Sequence, residues 1–422
     1  MTDFTDTLFS RLPDDIVERF RPVLERISLG TVDREVNRVL PAAELALLRE
    51  AGLPLARLPR EEGGLGLDWP TFGRLLIAVA AADSNLPQIL RGHIALVEQV
   101  LTVPDAAFRR RWTDRIVGGE IAGNSWSEPS GSTTARSSTE LVADPDGTLR
   151  ITGRKFYTTG SIFAEWTDTV AHRLSDDTEV TALVRLDQPG VEVRDDWDGF
   201  GQKLTGTGTI VFDGAVVEPG DVLPVAERFG YQTALYQFLL LAVLAGVAHA
   251  AVEDFARAVR ERSRVFSHGN AALARDDSQI QALIGEQAAS AFAVEATVVA
   301  SADALEEAYR AALAWREAPG DERRAEAARR AAGFAEIRTA QAQSFATAAV
   351  QQLTSRLFDA LAASATSTAK ALDRHWRNAR TVSSHNPVLF KNRWVGEWVL
   401  SDALPQPLWG IGVDATRAPA TS

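Results

Sequence analysis

Residues 179–186 read EVTALVRL and residues 207–212 read TGTIVF, short β-branched and apolar runs of the kind that pleat into strands. Near them lie Leu149-Arg150-Ile151, entered from the turn signal Asp144-Pro145-Asp146-Gly147, and Val191-Glu192-Val193. Glu218-Pro219-Gly220 closes the region, so residues from about 121 to 220 are expected to be all-β. Outside it the period changes. Residues 33–51 and 70–100 carry apolar positions three and four apart, which predicts helices. The stretch LPREEGGLGLDWP between them reads as an interhelical loop, because no GxGxxG opens a helix after a strand. Beyond residue 228, Val247, Ala251, Phe255 and Val259 recur at i+4, as do Phe345, Ala349, Leu353, Leu357 and Leu361. Alanine is abundant from 285 to 350, where Ala318-Pro319-Gly320-Asp321 is the clear break. This α–β–α order divides the chain into a helical domain (1–120), a β-domain (121–225), a second helical domain (226–416) and a disordered tail (417–422).

The 422 residues are 45% apolar and 24% charged, an ordinary globular balance. Forty-four basic against 56 acidic side chains leave a net charge of −12, which argues against nucleic acid or an anionic membrane as partner. Without cysteine there is no disulfide, thiolate metal site, iron–sulfur cluster or catalytic thiol. His93, His172, His249, His268, His375 and His385 are scattered without metal-ligand spacing, so no metal is expected. The N-terminus lacks the marks of a signal peptide. The most apolar run, Tyr236 to Val247, is too short to span a bilayer, and a cytoplasmic location is expected.

Four segments then fall into a known order. AGLPLARLPREEGGLG (51–66), NSWSEPSGS (124–132), GRKFYTTG (153–160) and RHWRNAR (374–380) resemble the successive signatures of the acyl-CoA dehydrogenase superfamily. That resemblance implies an α+β fold: an N-terminal helical domain, a middle β-barrel or sandwich, and a C-terminal four-helix bundle. DRHWRNARTVSSHNP (373–387) and FSHG (266–269) resemble the flavin-dependent monooxygenase branch typified by dibenzothiophene monooxygenase. Members of that branch take reduced flavin from a separate NAD(P)H:flavin reductase and assemble as homotetramers.

The chemistry separates the two branches. A dehydrogenase needs a carboxylate beside the flavin to remove an α-proton. Tyr231 to Val252 contains no Asp or Glu, and neither does Arg374 to Gly396, so both family seats of the base are empty. His385 stands in their place. By resemblance it manages the proton of a C4a-hydroperoxyflavin with His93, as a side chain that titrates near neutrality. The same resemblance puts Asn124, Trp126 and Ser127 along the flavin edge and Ser132 toward its phosphate. Tyr157, Thr158 and Thr159 are placed on the N5 side, with Thr158 and Thr159 equally good partners for N5. Asn124 and Thr158 accordingly join the two histidines as catalytic candidates. Arg264, Ser267 and His268 suit a phosphate, and Trp197, Val97 and Phe163 a substrate wall. Asn378 replaces the family's aspartate, which puts the usual ion pair of that motif in doubt. The implied reaction is oxygenation of a small apolar aromatic, heterocyclic or organosulfur substrate by O₂ and reduced FMN, with FAD the other candidate cofactor. The rival readings are a dehydrogenase with a relocated base and a non-catalytic flavin-binding protein.

Overall fold

The structure, a computed structural model, describes residues 4–128 and 137–405; Ser132 and the tail from 417 lie outside them. Seven α-helices come first: α1 (Asp14–Leu29), α2 (Thr31–Asn37), α3 (Ala42–Glu50), α4 (Trp69–Ala82), α5 (Leu86–Ile89), α6 (Arg91–Thr102) and α7 (Ala106–Val117). The periodic stretch 33–51 is broken, because Arg38 turns left-handed (φ 52°) after α2 and Pro41 precedes α3. The stretch 70–100 is divided into α4, α5 and α6. The Gly-rich segment is a loop that ends where Asp68 caps α4, accepting from the Thr71 amide, with Pro70 in the first turn.

The strands are β1 (Ala122–Ser125), β2 (Glu140–Ala143), β3 (Leu149–Phe156), β4 (Trp166–Arg173), β5 (Thr178–Arg185), β6 (Val191–Val193), β7 (Thr209–Val217) and β8 (Val222–Pro224). They form one mixed sheet in the order β6-β7-β3-β2-β4-β5-β8, and β1 joins parallel to β4. Strands β5 and β7 are far apart in that order. Yet Val180, Ala182 and Val184 share one buried cluster with Ile210, Phe212 and Ala215, so the sheet curls around its own core.

The helices α8 (Gln232–Arg260), α9 (Ser278–Arg316) and α10 (Glu322–Leu361) pack on one another, with α11 (Arg374–Ser383) and α12 (Val388–Ser401) against them. Helix α4 completes the core from the N-terminal side. It reaches α8 through two glycines: a Cβ on Gly73 would sit 2.7 Å from Phe238, and one on Gly246 2.4 Å from Ala80. Helix α8 places Phe238 to Val247 wholly inside, each large side chain contributing about 1.5–3 kcal/mol by burial. By length and composition alone its 29 residues, like the 39 of α9, could cross a membrane. The apolar window of α8 is 89% buried inside the protein, as befits a core helix, whereas that of α9 is only 44% buried.

Candidate active site

The site is built where β1 ends. Gly92 on α6 and Gly123 on β1 meet so closely that a Cβ on Gly92 would lie 2.7 Å from the Gly123 carbonyl carbon. That approach holds α6 against the strand and lets Asn124 emerge between them, buried, with its Oδ1 accepting no hydrogen bond. The next layer is the loop after β3. Its backbone is tied to β1 and its extension: Phe156 donates to the Ser127 carbonyl (3.0 Å), and Asn124 to that of Thr159 (3.4 Å). Tyr157 takes a left-handed turn (φ 61°) that throws its ring outward against Trp197, 6.0 Å away at 64°. Trp126 and Ser127, half-buried, continue the edge.

Thr158 and Thr159 are turned inward, and their hydroxyls are committed. Thr158 donates to the Gly208 carbonyl (3.0 Å). Thr205 donates to the Gln202 carbonyl (2.9 Å), so at the Thr205–Thr207 contact (2.8 Å) Thr207 must be the donor. The Thr159–Thr207 contact (2.8 Å) must then be donated by Thr159. Each candidate hydroxyl for N5 has therefore spent its single proton and offers only lone pairs.

Above this floor lies a polar cluster drawn from five parts of the chain, with Arg91 and Asp168 buried, Tyr236 and Arg228 half-buried and His385 exposed. Arg91 (α6) donates from Nη1 to Nε2 of His385, after α11, at 3.0 Å, and its guanidinium stands 5.1 Å from the ring centroid of Tyr236 (α8). Arg228, before α8, lies 2.9 Å from Asp168 (β4), off the line of a well-directed hydrogen bond, and over the Trp126 indole at 5.3 Å. Burial raises the pKa of Asp168, with Arg228 and Trp126 opposing it. Burial likewise lifts Tyr236 to about 12. Sequence reasoning missed Arg91, Tyr236, Arg228 and Asp168 as site residues. Only Arg91, two residues before His93, carried a usable signal.

Desolvation of its ring and the Arg91 charge push the pKa of His385 down to about 3, although the residue as a whole is exposed. Because Nε2 accepts from Arg91, the proton sits on Nδ1, and the side chain is a neutral donor. His93 is also corrected. Its Nε2 donates to the Pro54 carbonyl (3.1 Å) and its Nδ1 accepts from the Ala122 amide (3.4 Å), leaving neither nitrogen for a ligand. Burial lowers its pKa to about 4, and it serves as a brace between α6 and β1.

Other expected residues are elsewhere. Val97 is packed among Leu58, Trp112, Trp166 and Leu183, because α6 turns that face to the sheet; it belongs to the core. Phe163 is half-buried beside Gly206, and Trp197 is fixed by a bond from Nε1 to the Gly201 carbonyl (3.1 Å). Arg264, Ser267 and His268 are exposed after the end of α8. The 24 helical steps from Tyr236 to Arg260 rise about 36 Å, so within one chain these groups lie far from the Asn124–His385 cluster. Asn378 binds the Gln202 amide through Oδ1 (2.6 Å) and donates to Ser84 (3.1 Å). The ion pair of this motif runs instead from Arg374 to Asp254 (2.5 Å).

Glu128 ties the stretch after β1 to residues 137–139 and to β3. It accepts from Lys155 Nζ (2.7 Å), from Thr139 (2.9 Å) and from the hydroxyls of Ser137 and Ser138. Burial alone would raise its pKa, but these donors hold it well below the usual carboxylate range. A cavity of about 620 Å³ lies between Arg228–Tyr231 and the facing ends of α9 and α10. It shares only Arg228 with the polar cluster and holds neither histidine; the chemistry of the cluster marks the site, not the cavity.

The fold has the layout of an acyl-CoA dehydrogenase. The family described as "Acyl-CoA dehydrogenase, C-terminal domain" matches residues 239–389. Dibenzothiophene monooxygenase of Mycolicibacterium goodii is 25% identical over 96% of this chain and 99% of its own. The "Probable FMNH2-dependent monooxygenase SfnC" of Pseudomonas putida is 26% identical over 92% and 95%. Among solved structures, TdsC from Paenibacillus sp. A11-2 with FMN and indole superimposes with a TM-score of 0.81 at 28% identity, covering 94% of this chain and 99% of that one. Over nearly its whole length the chain is thus similar to flavin-dependent monooxygenases, on the fold of the acyl-CoA dehydrogenases.

Proposed function

We propose that the protein is the oxygenase of a two-component system, using reduced FMN from a separate reductase and O₂ to oxygenate a small substrate. The observation that carries this reading is the spent hydroxyl chain Thr159–Thr207–Thr205–Gln202. A hydroxyl that only accepts is matched to the N5–H of reduced flavin, whereas N5 of oxidised flavin requires a donor. Asn124 Oδ1, a buried acceptor without a donor, fits the N–H of the flavin's pyrimidine edge. Reduced flavin supplies the electrons and the site at which O₂ is activated.

The remaining work falls to the chain. His385 offers Nδ1–H to an oxygen while Arg91 fixes its tautomer, so it stabilises by hydrogen bonding at constant charge. Trp126, Tyr236 and Trp197 exclude water from the neighbourhood, which protects a reactive oxygen species from decay. The seat of a dehydrogenase base holds this neutral imidazole, and Asp168, the carboxylate of the cluster, is occupied by Arg228. A homotetramer accords with the apolar side chains left exposed on the C-terminal helices: Phe292 on α9, Phe345 on α10, and Leu389, Phe390, Val399 and Leu400 on α12. In such an assembly Arg264, Ser267 and His268 would serve the flavin phosphate of a neighbouring subunit. The reading includes the three-domain division and a cytoplasmic location.

Mixing the anaerobic complex with reduced FMN against oxygenated buffer in a stopped-flow instrument tests the proposal. A transient absorbing to the blue of oxidised flavin is expected. Reoxidation at the rate of free flavin, with immediate release of hydrogen peroxide, would overturn it. The same run with reduced FAD ranks the two cofactors.

A further inference from the structure

Arg91 is the group in the cluster that the proposed reaction leaves electrostatically unexplained. Its residue is only 5% exposed. Of the five N–H donors of a guanidinium, one is used, from Nη1 to a neutral imidazole. Nε has no partner, and no carboxylate among the described residues pairs with Arg91. The charges facing it from neighbouring elements do not offset it. Asp168 is taken by Arg228, whose Nε also donates to Gln232 (2.7 Å). Tyr236 and His385 are neutral, so the cluster carries one positive charge in excess. A buried cation without a counter-ion is unfavourable by several kcal/mol, more than the face of one tyrosine returns. Such a side chain persists where an anion joins it in the working complex. The planar fork of arginine selects an oxyanion that accepts two parallel hydrogen bonds.

We propose that Arg91 binds a singly charged oxyanion of the substrate, a carboxylate, sulfinate or sulfonate, beside His385. The substrate is then a small organic acid whose apolar part lies against Trp126 and Tyr236, which adds a charge to the small apolar aromatic, heterocyclic or organosulfur compound expected from the sequence. This rests on the monooxygenase reading for the identity of the ligand as substrate, but not for the anion site itself. The alternative source of an oxyanion is the flavin phosphate.

The test is calorimetric titration of the full chain, without flavin and with FMN, using benzenesulfinate and benzoate against the neutral isosteres methyl phenyl sulfone and benzamide. Anions are expected to bind at least 10-fold more tightly than the isosteres, with or without FMN. Arg91→Met should remove that preference, weakening the anions about 10- to 100-fold and the isosteres little, as loss of a charge-assisted bidentate contact predicts. Arg91→Lys, which keeps charge and fold but not the fork, should fall between. Equal binding of acids and isosteres to the unaltered chain would overturn the proposal. So would an Arg91→Met protein that loses FMN but not riboflavin, since Arg91 would then hold the phosphate. Reduced-FMN binding, followed separately by anaerobic fluorescence, shows whether the flavin reading fails on its own.

Discussion

Replacing Thr205 by Val tests the hydroxyl chain without touching the candidate flavin contacts. The side chain is 1% exposed and the substitution nearly isosteric, so the chief change is loss of one hydroxyl. In the unaltered protein Thr205 donates to the Gln202 carbonyl and thereby forces Thr207 to donate to it, and Thr159 to donate to Thr207. Without that hydroxyl Thr207 has its proton free to donate to Thr159. Thr159 is then able to turn its own proton outward. Oxidised FMN, whose N5 is an acceptor, gains a hydrogen bond worth about 1 kcal/mol net, while reduced FMN keeps the acceptor it already had. That is about a 5-fold fall in the Kd for oxidised FMN with the reduced Kd unchanged. The folded state should lose about 1–2 kcal/mol from the unsatisfied Gln202 carbonyl, and Thr205→Ser should restore both properties. The assay is fluorescence titration with oxidised FMN beside anaerobic titration with reduced FMN. If the ratio of the two constants does not move, or if the reduced form alone weakens, the deduced proton order does not select the redox state.

Three further outcomes are expected. His93 has its pKa lowered to about 4 by burial, so the stability it contributes is present above the unfolded value near 6.5 and is lost as pH falls toward 4. The loss should reach about 3 kcal/mol, and denaturation midpoints for His93→Gln should show a slope flatter by about that amount. His385→Ala should still bind reduced FMN but shorten the blue-absorbing transient about 10- to 100-fold and divert oxygen to hydrogen peroxide; stopped flow with a peroxide assay reads both. Asn124→Ala should leave the melting temperature unchanged or slightly raised, because its Oδ1 has no donor to lose, yet weaken FMN about 10-fold in equilibrium titration.

The sequence disclosed order and composition well because these depend on local period. Strand runs such as 179–186 and the i+4 series of α8 need no tertiary information, and both formed close to where they were read. The empty seats of a catalytic base were likewise legible, since an absent carboxylate in Tyr231–Val252 is absent in any fold. The division of 33–51 was less visible, because the left-handed turn at Arg38 overrides a continuous apolar period.

By itself, then, the sequence determined the α–β–α arrangement and the family resemblance, and it put forward Asn124, Thr158, Thr159 and His385 as candidates. The tertiary structure decided their states. It exhausted the protons of Thr158 and Thr159 through Gly208 and Thr207, turned His385 into a neutral donor by setting Arg91 against it, and spent both nitrogens of His93 on backbone. It also separated Arg264 from the cluster by the length of α8 and brought Asp168, Arg228 and Tyr236 into it. The reason is physical. Chain period records which residues prefer water, whereas the charge and proton of a buried side chain are fixed by partners that lie hundreds of residues away, as Arg91 does from His385.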